Sequence, residues 1–318
     1  MRILVTGGLG FLGQHLARCL LRAYPACALT LVDDLSSSRL DHAWLAGRAE
    51  IRVEDFSALV WKGRDLDRIY HLASPVGSLG ILAGSGRVAK MITDLAVRAG
   101  ELAAETGASL LYVSSSETYG RSGARSEEDE VTIPAGSGPR MEYLLGKLAG
   151  EHLLRNLAQR NRFRLTLVRP FNTIGEHQSS RIGFVVPTFF ENALAGRPLP
   201  LFFGGGQTRC FCHAEDMAEG LLAVQEKGTA GEIYNLGNPE NGTSIRALAE
   251  AIRSLCGSSS PLEAIDPRER FGSQYLEASA KMPRIDKVRA HTGWSPTIGL
   301  KAALDRIHAH YLRHAYRD

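Results

Sequence analysis

Tyr143 and Lys147 are the residues of this sequence whose types and spacing best fit proton-transfer chemistry. Four positions apart in a segment with helical periodicity, they share one face of a helix. A lysine ammonium beside a phenol stabilises the phenolate. The pair therefore predicts a tyrosine base that takes the proton of a substrate hydroxyl. Because Tyr-x-x-x-Lys is common by chance, this prediction depends on what accompanies the pair.

A run of hydroxyl residues supports the prediction. The sequence SSSETYG, from Ser114 to Gly120, begins where the apolar segment Leu110–Ser114 ends. Ligands of open α/β folds bind at the carboxyl ends of the strands. A hydroxyl at this point can hydrogen-bond the same substrate oxygen that Tyr143 deprotonates.

Three glycines at GxxGxxG spacing predict a dinucleotide-phosphate site between the first apolar run and a helix-like stretch. Such a turn lets the backbone approach a pyrophosphate at a helix N-terminus. The predicted phosphate site comprises Gly7, Gly10, Phe11, Leu12 and Gly13. A purely structural turn is the alternative, but a matching acidic residue at the end of the next strand favours the cofactor.

That acidic residue, Asp33, also indicates which cofactor binds. It comes twenty positions after Gly13, where a carboxylate accepts hydrogen bonds from the adenosine ribose hydroxyls and repels a 2′-phosphate. The sequence therefore predicts NAD over NADP. Further predicted cofactor contacts are Asp34, Asp55, Leu72, Ala73 and Ser74. For Asp55, a simple loop aspartate is the alternative.

Apolar runs of strand length must position these residues. They are Ile3–Thr6, Ala28–Val32, Ile51–Val53, Arg68–Ala73, Leu110–Ser114 and Leu165–Arg169. Strands that alternate with helical segments predict a parallel sheet. The predicted fold class is therefore α/β, with a doubly wound Rossmann sheet. Long helices with broad apolar faces are predicted at Val88–Glu105 and Met141–Leu157.

The pattern becomes irregular beyond Pro170, with glycine and proline punctuation and shorter helices. We expect an NAD-binding Rossmann domain at residues 1–170, and we expect the segment 209–228 to return to this domain and form part of it. Residues 171–208 and 229–318 are expected to form a smaller α/β substrate-binding lobe.

Composition argues against several classes of function. With 318 residues, 44% of them hydrophobic, the chain can bury a large core. A net charge of +3 with dispersed arginines indicates no nucleic-acid partner. Five scattered cysteines indicate reduced thiols, with Cys210 and Cys212 as strand residues and no metal site. Neither a leader nor an apolar run of membrane-spanning length is evident, which predicts a cytoplasmic protein without a membrane partner.

Together the motifs resemble those of extended short-chain dehydrogenases/reductases that act on nucleotide sugars. The similarity covers nearly the whole chain, through TGGLGFLG, VDDL, HLAS, SSSETYG, the Tyr143/Lys147 pair, RPFNTIG at Arg169–Gly175, GGGQTRCF at Gly204–Phe211, YNLGNPEN at Tyr234–Asn241 and GWSP at Gly293–Pro296. It implies NAD as cofactor, a UDP-sugar as substrate, and Ser115, Tyr143 and Lys147 as catalytic residues. It also implies a homodimer in which the two long helices of each chain form a four-helix bundle.

The residues after Ser115 distinguish reactions within this family. Ser116 and Glu117, with the distant Gln207-Thr208-Arg209, resemble the pattern of UDP-glucuronate decarboxylases. Hexose 4,6-dehydratases have the pattern Thr-Asp-Glu at these three positions, and this chain has Ser116 in place of the aspartate. Four-epimerases usually lack the glutamate. The resemblance therefore implies NAD-dependent decarboxylation of UDP-glucuronate through a 4-keto sugar, to UDP-xylose or the UDP-4-keto-pentose, with Glu117 and Arg209 as catalytic residues.

Departures from that pattern leave alternatives open. Ser115 replaces the threonine usual in decarboxylases, although the hydroxyl remains. Glucuronate 4-epimerases place an arginine for the substrate carboxylate in the stretch after Gly175, and Arg181 lies close enough to keep a UDP-glucuronate 4-epimerase as the runner-up, ahead of a dehydratase. Dinucleotide sensors of this family typically lose the tyrosine, which this chain retains. The implied substrate-binding residues are Ser116, Asn172, Arg181, Arg209 and Arg270.

Overall fold

A sheet of seven parallel strands forms the centre of the structure, a computed structural model that describes residues 1–37, 43–62, 65–120, 123–127, 129–133, 138–272, 275 and 277–314. The strands are, in chain order, β1 (Arg2–Thr6), β2 (Ala28–Asp33), β3 (Glu50–Val53), β4 (Arg68–His71), β5 (Ser109–Val113), β6 (Gly123–Arg125), β7 (Leu165–Pro170), β8 (Thr173–Ile174), β9 (Leu199–Phe202), β10 (Thr208–Cys210), β11 (Cys212–His213), β12 (Ile233–Leu236), β13 (Gly242–Ser244), β14 (Leu262–Ile265) and β15 (Ala280–Pro283). Across the central sheet their order is β12-β7-β5-β4-β1-β2-β3.

The helices are, in chain order, α1 (Phe11–Ala23), α2 (Ser78–Ala83), α3 (Val88–Thr106), α4 (Pro139–Asn161), α5 (Val185–Leu194), α6 (Ala214–Lys227), α7 (Ile245–Leu255), α8 (Arg268–Phe271), α9 (Asp286–Thr292) and α10 (Leu300–His314). This architecture confirms the predicted doubly wound α/β fold. The strands predicted from apolar runs are β1 to β5 and β7, each within two residues of its predicted ends. The two predicted long helices are α3 and α4. Cys210 and Cys212 are strand residues, as predicted.

Strand β12 extends the sheet beyond what the apolar runs predict. It pairs in parallel with β7, from Ile233 opposite Leu167 to Leu236 opposite Pro170. A run of four residues that includes a polar asparagine is too short for periodicity to reveal. The chain therefore contributes a strand to the central sheet after residue 228. The predicted division assigns this part of the chain, residues 229–318, to the substrate-binding lobe. The division into two domains itself stays a prediction.

Helices cover both faces of the sheet, and the alternation of side chains along each strand divides the core. On β1, Ile3 and Val5 pack with α1, α6 and α9, whereas Leu4 packs with α3 on the opposite face. Strands buried on both faces are typical of parallel sheets. The ends of the strands, rather than their faces, are therefore the places left for a ligand.

Helices α3 and α4 pack closely because small residues line their contact. A Cβ added to Gly100 would lie 2.8 Å from Leu154 Cδ2, and one added to Gly146 would lie 2.9 Å from Ala89 Cα. The contact fixes α4, and with it Tyr143, against the sheet.

A second core lies beyond β7, where α5 and α7 pack around residues such as Phe189 and Leu248. A four-stranded sheet has the order β13-β10-β15-β6. Strands β10 and β15 are parallel, with Arg209 opposite Lys281 in register. Because residues in register point to the same face of a sheet, these two cations lie side by side.

The described residues include neither a membrane-spanning helix nor a cluster of metal ligands. None of their helices is long and apolar enough to cross a membrane. No group of three or more histidine, cysteine, aspartate or glutamate residues among those described is arranged to hold a metal ion.

Candidate active site

A cavity of about 2010 Å³ lies at the carboxyl ends of β1, β2, β4 and β5. Every residue that the sequence predicts to bind the cofactor lines this cavity, Tyr143 and Lys147 included. The other predicted catalytic and substrate residues that line it are Ser115, Ser116, Glu117, Asn172, Arg181 and Arg209. Arg270 is the exception, because its side chain lies outside the described residues. The predicted sites thus meet at one edge of the sheet, where an open α/β fold binds its ligands.

The glycine loop has no room for side chains at two of its positions. Gly7 has a positive φ of 66°, and a Cβ there would lie 2.8 Å from the backbone nitrogen of Ala73. A Cβ on Gly13 would lie 2.2 Å from the carbonyl oxygen of Gly7. Helix α1 begins directly after Gly10, so its unpaired N–H groups point toward the cavity. These features fit a bound diphosphate.

Asp33 joins the second strand to this glycine loop. Its Oδ2 accepts hydrogen bonds from the backbone N–H groups of Leu9, at 3.0 Å, and Gly10, at 3.1 Å, and its Oδ1 accepts one from Leu35 at 2.9 Å. Burial raises the pKa of this carboxyl, and the backbone hydrogen bonds oppose that shift. The carboxylate therefore holds the loop in shape, a task additional to the ribose contact that the sequence predicts.

Replacing Asp33 with alanine should weaken NAD binding by roughly 10-fold to 100-fold, because hydrogen bonds to a charged group contribute about 1.5–3 kcal/mol. Loss of the carboxylate also removes its repulsion of a 2′-phosphate, so preference should move toward NADP. Titration with both cofactors measures this. Asp305→Ala is the control, since Asp305 pairs with Lys301 on α10 and does not line the cavity. A wild type that already prefers NADP would contradict the role of Asp33.

Asp34 and Asp55 make local turn contacts. Asp34 Oδ1 accepts a hydrogen bond from the backbone of Ser36 at 2.9 Å, and Asp55 Oδ1 accepts one from that of Ser57 at 2.8 Å. Both residues line the cavity. Their contact with the cofactor stays a prediction.

Lys147 lies beside Tyr143 on the cavity side of α4. Its Nζ donates a hydrogen bond to the carbonyl oxygen of Val113 at 2.8 Å and lies 5.8 Å from the centre of the Tyr143 ring. Burial lowers the pKa of Lys147 to about 7, although Glu151 opposes the shift. Burial raises the pKa of Tyr143 to about 12, which the neighbouring Ser115 hydroxyl partly offsets. The phenol therefore needs a further positive charge nearby to ionise near neutral pH.

A buried ion pair anchors the helix that carries these two residues. Glu151, one turn after Lys147, accepts hydrogen bonds from Arg169 of β7 at 2.9 and 2.6 Å. It also accepts one from the hydroxyl of Ser114 at 2.5 Å. Because one carboxylate bonds two strands of the sheet, α4 is held in one position over their ends. The sequence analysis missed this role of Glu151, which depends on contacts between distant segments.

The turn after β5 presents Ser115, Ser116 and Glu117 to the cavity. The Ser115 hydroxyl accepts a hydrogen bond from the backbone of Glu117 at 3.1 Å, which caps the short helical turn Ser116–Tyr119. This cap leaves the hydroxyl proton of Ser115 available for another acceptor.

Glu117 belongs to a group of buried and half-buried charges that we call the charged cluster: Glu117, Arg140, Arg209, Glu277 and Lys281. Arg140 donates to both Glu117 oxygens, at 3.1 and 3.2 Å, and the ammonium of Lys281 pairs with one of them. Burial alone would raise the pKa of Glu117, but the two cations hold it well below its usual range. Glu117 is therefore an anion in this site.

Glu277 connects the other members of the charged cluster. It accepts a hydrogen bond from Arg140 at 2.9 Å and pairs with Arg209. Arg209 also donates to the carbonyl oxygens of Thr208, at 2.7 Å, and Ala278, at 2.9 Å. All five members line the cavity. Among the described residues, Arg209 is thus linked to Glu117 through Glu277 and Arg140.

The sequence analysis missed three members of the charged cluster. Arg140 lies one helical turn before Tyr143, and that spacing alone could have indicated that both face the cavity. Glu277 and Lys281 reach the site only because β15 pairs with β10, a register that no local pattern reveals.

The two predicted substrate residues farther along the chain differ in exposure. Asn172 lies between β7 and β8, where its backbone oxygen accepts a hydrogen bond from Cys212 at 2.8 Å. Arg181 is exposed, in the short turn Ser180–Ile182. Their side chains line the cavity, but no contact places either in the charged cluster.

Comparisons with known proteins agree with this geometry. Residues 3–237 match the model of the NAD dependent epimerase/dehydratase family. The chain is 30% identical to UDP-glucuronic acid decarboxylase 6 of Arabidopsis thaliana over 313 residues, which is 96% of this chain and 87% of that protein. It is 29% identical to UDP-glucuronic acid decarboxylase 1 of Danio rerio over 316 residues, 98% of this chain and 73% of that one.

A solved structure shares the fold. The UDP-glucuronic acid 4-epimerase of Bacillus cereus, in complex with UDP-glucuronic acid and NAD, superposes with a TM-score of 0.84 at 24% identity, over 99% of this chain and 100% of that one. The likeness supports the fold, and the family match covers both the glycine loop and the Tyr143/Lys147 pair. By its sequence, the chain belongs to the NAD dependent epimerase/dehydratase family, the extended short-chain dehydrogenases/reductases.

Proposed function

We propose that this protein decarboxylates UDP-glucuronate through a 4-keto intermediate, giving UDP-xylose or the UDP-4-keto-pentose. The observation that carries the proposal is the charged cluster, which brings an anionic Glu117 and three cations to the cavity that holds Tyr143 and Ser115. The names of the matched relatives support the same reaction.

The chain's residues fit NAD, because the glycine loop excludes a Cβ at Gly13 and presents the N-terminus of α1. Bound NAD supplies the hydride acceptor for C4 of the sugar. Tyr143 takes the proton of the C4 hydroxyl, and the ammonium of Lys147 stabilises the phenolate. Ser115 donates a hydrogen bond to the same oxygen.

The resulting 4-ketone lies β to the C6 carboxylate, and such acids lose carbon dioxide readily. The C5–C6 bond breaks, and its electron pair passes into an enolate over C5, C4 and O4. A proton must then reach C5, for which Arg209 or a water bound to it is the proposed source. The hydride taken from C4 must return to C4 to give UDP-xylose, whereas release of the UDP-4-keto-pentose would leave the cofactor reduced. Glu117 positions the sugar, and Ser116, Asn172 and Arg270 complete the proposed substrate contacts.

Incubation with NAD and UDP-glucuronate, followed by the mass of the sugar nucleotide, tests the proposal. Loss of carbon dioxide is the expected result, and no loss from the wild type would overturn it. An isobaric product would instead indicate the 4-epimerase, which the position of Arg181 at the cavity favours. Loss of water from a UDP- or dTDP-hexose would indicate a dehydratase, although Ser116 stands in place of the aspartate of such enzymes.

We also propose a homodimer through α3 and α4. Leu145 and Leu153, eight residues apart on α4, are each 38% exposed, and residues at this spacing share a helix face. The double variant Leu145→Asp, Leu153→Asp should halve the molar mass found by light scattering, because two charges would be buried in the bundle. Leu312→Asp, at an exposed position of α10, is the control and should remain dimeric. A monomeric wild type at micromolar concentration would contradict this assembly.

A further inference from the structure

We propose that Lys281 is the residue that selects a sugar nucleotide carrying a carboxylate on its hexose ring. The inference rests on the proposed function in that it takes a UDP-sugar as the ligand. It holds equally for decarboxylation and for epimerisation of a uronate.

The balance of charge in the charged cluster is the first argument. Among the described residues, three cations, Arg140, Arg209 and Lys281, meet two carboxylates, Glu117 and Glu277. One positive charge therefore exceeds the negative charges in a largely buried place. Because a buried charge without a counter-charge is unfavourable, the site favours a ligand that brings one negative charge. A uronate carboxylate has that charge, whereas the hydroxymethyl group of a neutral hexose does not.

The hydrogen bonds of the three cations identify the one that can receive the ligand. The Arg140 guanidinium donates to Glu117, Glu277 and Tyr275. The Arg209 guanidinium donates to Glu277 and to the carbonyl oxygens of Thr208 and Ala278. Arg140 is thus committed to protein acceptors, whereas Arg209 has two of its five N–H groups left among the described contacts, for the proton donation to C5 proposed above.

Lys281 differs from the two arginines in its remaining hydrogen-bond donors and in its position at the cavity. Its ammonium pairs with Glu117 among the described residues, and an ammonium has three N–H groups, so donors remain for a second carboxylate. The side chain is only 9% exposed, yet it lines the same cavity as Tyr143. Its register position opposite Arg209 directs both cations to one face of the small sheet.

The titration of Lys281 supports this placement and provides a measurable signal. Burial, together with Arg140, lowers the pKa of Lys281 to about 8, against the opposing effects of Glu117 and Glu277. A carboxylate that binds next to the ammonium favours the protonated form and raises its pKa. At a pH near that value, binding of a uronate should therefore be accompanied by uptake of a fraction of a proton.

The test is calorimetric titration near pH 8 in buffers of different ionisation enthalpy, on the NAD-loaded protein. The Tyr143→Phe background slows turnover, and the ligands are UDP-glucuronate and UDP-glucose. With Lys281 intact, we expect affinity for UDP-glucuronate to exceed that for UDP-glucose by about tenfold or more, as charge-assisted hydrogen bonds at a desolvated site provide. Proton uptake should accompany the uronate alone.

Two variants separate the effect of the positive charge of Lys281 from the effect of its protonation change on binding. Lys281→Met should lose the preference for the uronate, because its affinity for UDP-glucuronate falls more than its affinity for UDP-glucose. Lys281→Arg should retain the preference but lose the proton uptake, because a guanidinium stays protonated. Lys287→Met is the matched control, since this lysine pairs with Glu232 outside the cavity and should alter neither quantity.

Several outcomes would overturn the inference. They are an unchanged preference in Lys281→Met, an equal loss of affinity for both ligands, and loss of the preference in Arg181→Gln instead. Failure of the proposed function is distinguishable, because it appears as a wild type that releases no carbon dioxide, whatever the calorimetry shows. Conversely, a wild type that decarboxylates while Lys281→Met keeps its preference refutes only the role of Lys281.

Discussion

Turnover by the Tyr143→Phe variant is expected to fall by about 10²-fold to 10⁴-fold, the usual contribution of a positioned general base. The substitution keeps the buried ring between α3 and α4, where it packs against Val88 and Ile92, and removes only the oxygen. NAD affinity should change little, because the glycine loop and Asp33 remain. The measurements are single-turnover reduction of NAD by UDP-glucuronate and a separate titration of NAD.

Tyr112→Phe is the matched control for this prediction. Its hydroxyl is buried without a hydrogen-bond partner among the described residues, and the centre of its ring lies 5.3 Å from Lys147 Nζ. It does not line the cavity. The control should turn over within a few-fold of the wild type. A Tyr143→Phe variant that is equally active would remove Tyr143 from the mechanism.

Local spacing explains why much of this site could be predicted from the sequence. The glycine loop, Asp33 and the Tyr143/Lys147 pair each depend on one strand end or one helix face, and periodicity predicts both. The structure places all of them at one cavity. The order of strands and helices likewise sufficed for the fold class, because a parallel sheet requires crossover helices.

What the sequence did not reveal depends on contacts between segments far apart in the chain. Glu117 was identified only as a glutamate in a motif, whereas its ionic state is set by Arg140, 23 residues away, and by Lys281, 164 residues away. Asp33 was expected to face a ribose, yet its carboxylate also accepts hydrogen bonds from the glycine loop. Charge balance in a buried site is a property of tertiary structure, so no motif predicts it.

The charged cluster leads to the second large effect, in Glu117→Gln. This nearly isosteric change removes one negative charge from the cluster, so the excess of positive charge grows. Binding of UDP-glucuronate should therefore not weaken, and NAD binding should be unaffected. Release of carbon dioxide should fall strongly, because the anionic Glu117 repels the substrate carboxylate and that repulsion is relieved as the carboxylate leaves and negative charge moves to O4.

The size of that fall follows from the electrostatics. Two unit charges ~5 Å apart at an effective dielectric of about 20 repel by roughly 3 kcal/mol, which corresponds to about 10²-fold in rate. Oxidation at C4 should survive in part, since Tyr143, Lys147 and Ser115 are unchanged. Measuring carbon dioxide and the C4 epimer from one reaction gives both rates. The control is Glu232→Gln, because the Glu232 carboxylate pairs with Lys287 outside the cavity. A decarboxylation rate of Glu117→Gln equal to that of the wild type would refute this role of Glu117. If the protein is an epimerase, Glu117→Gln should interconvert UDP-glucuronate and UDP-galacturonate at close to the wild-type rate.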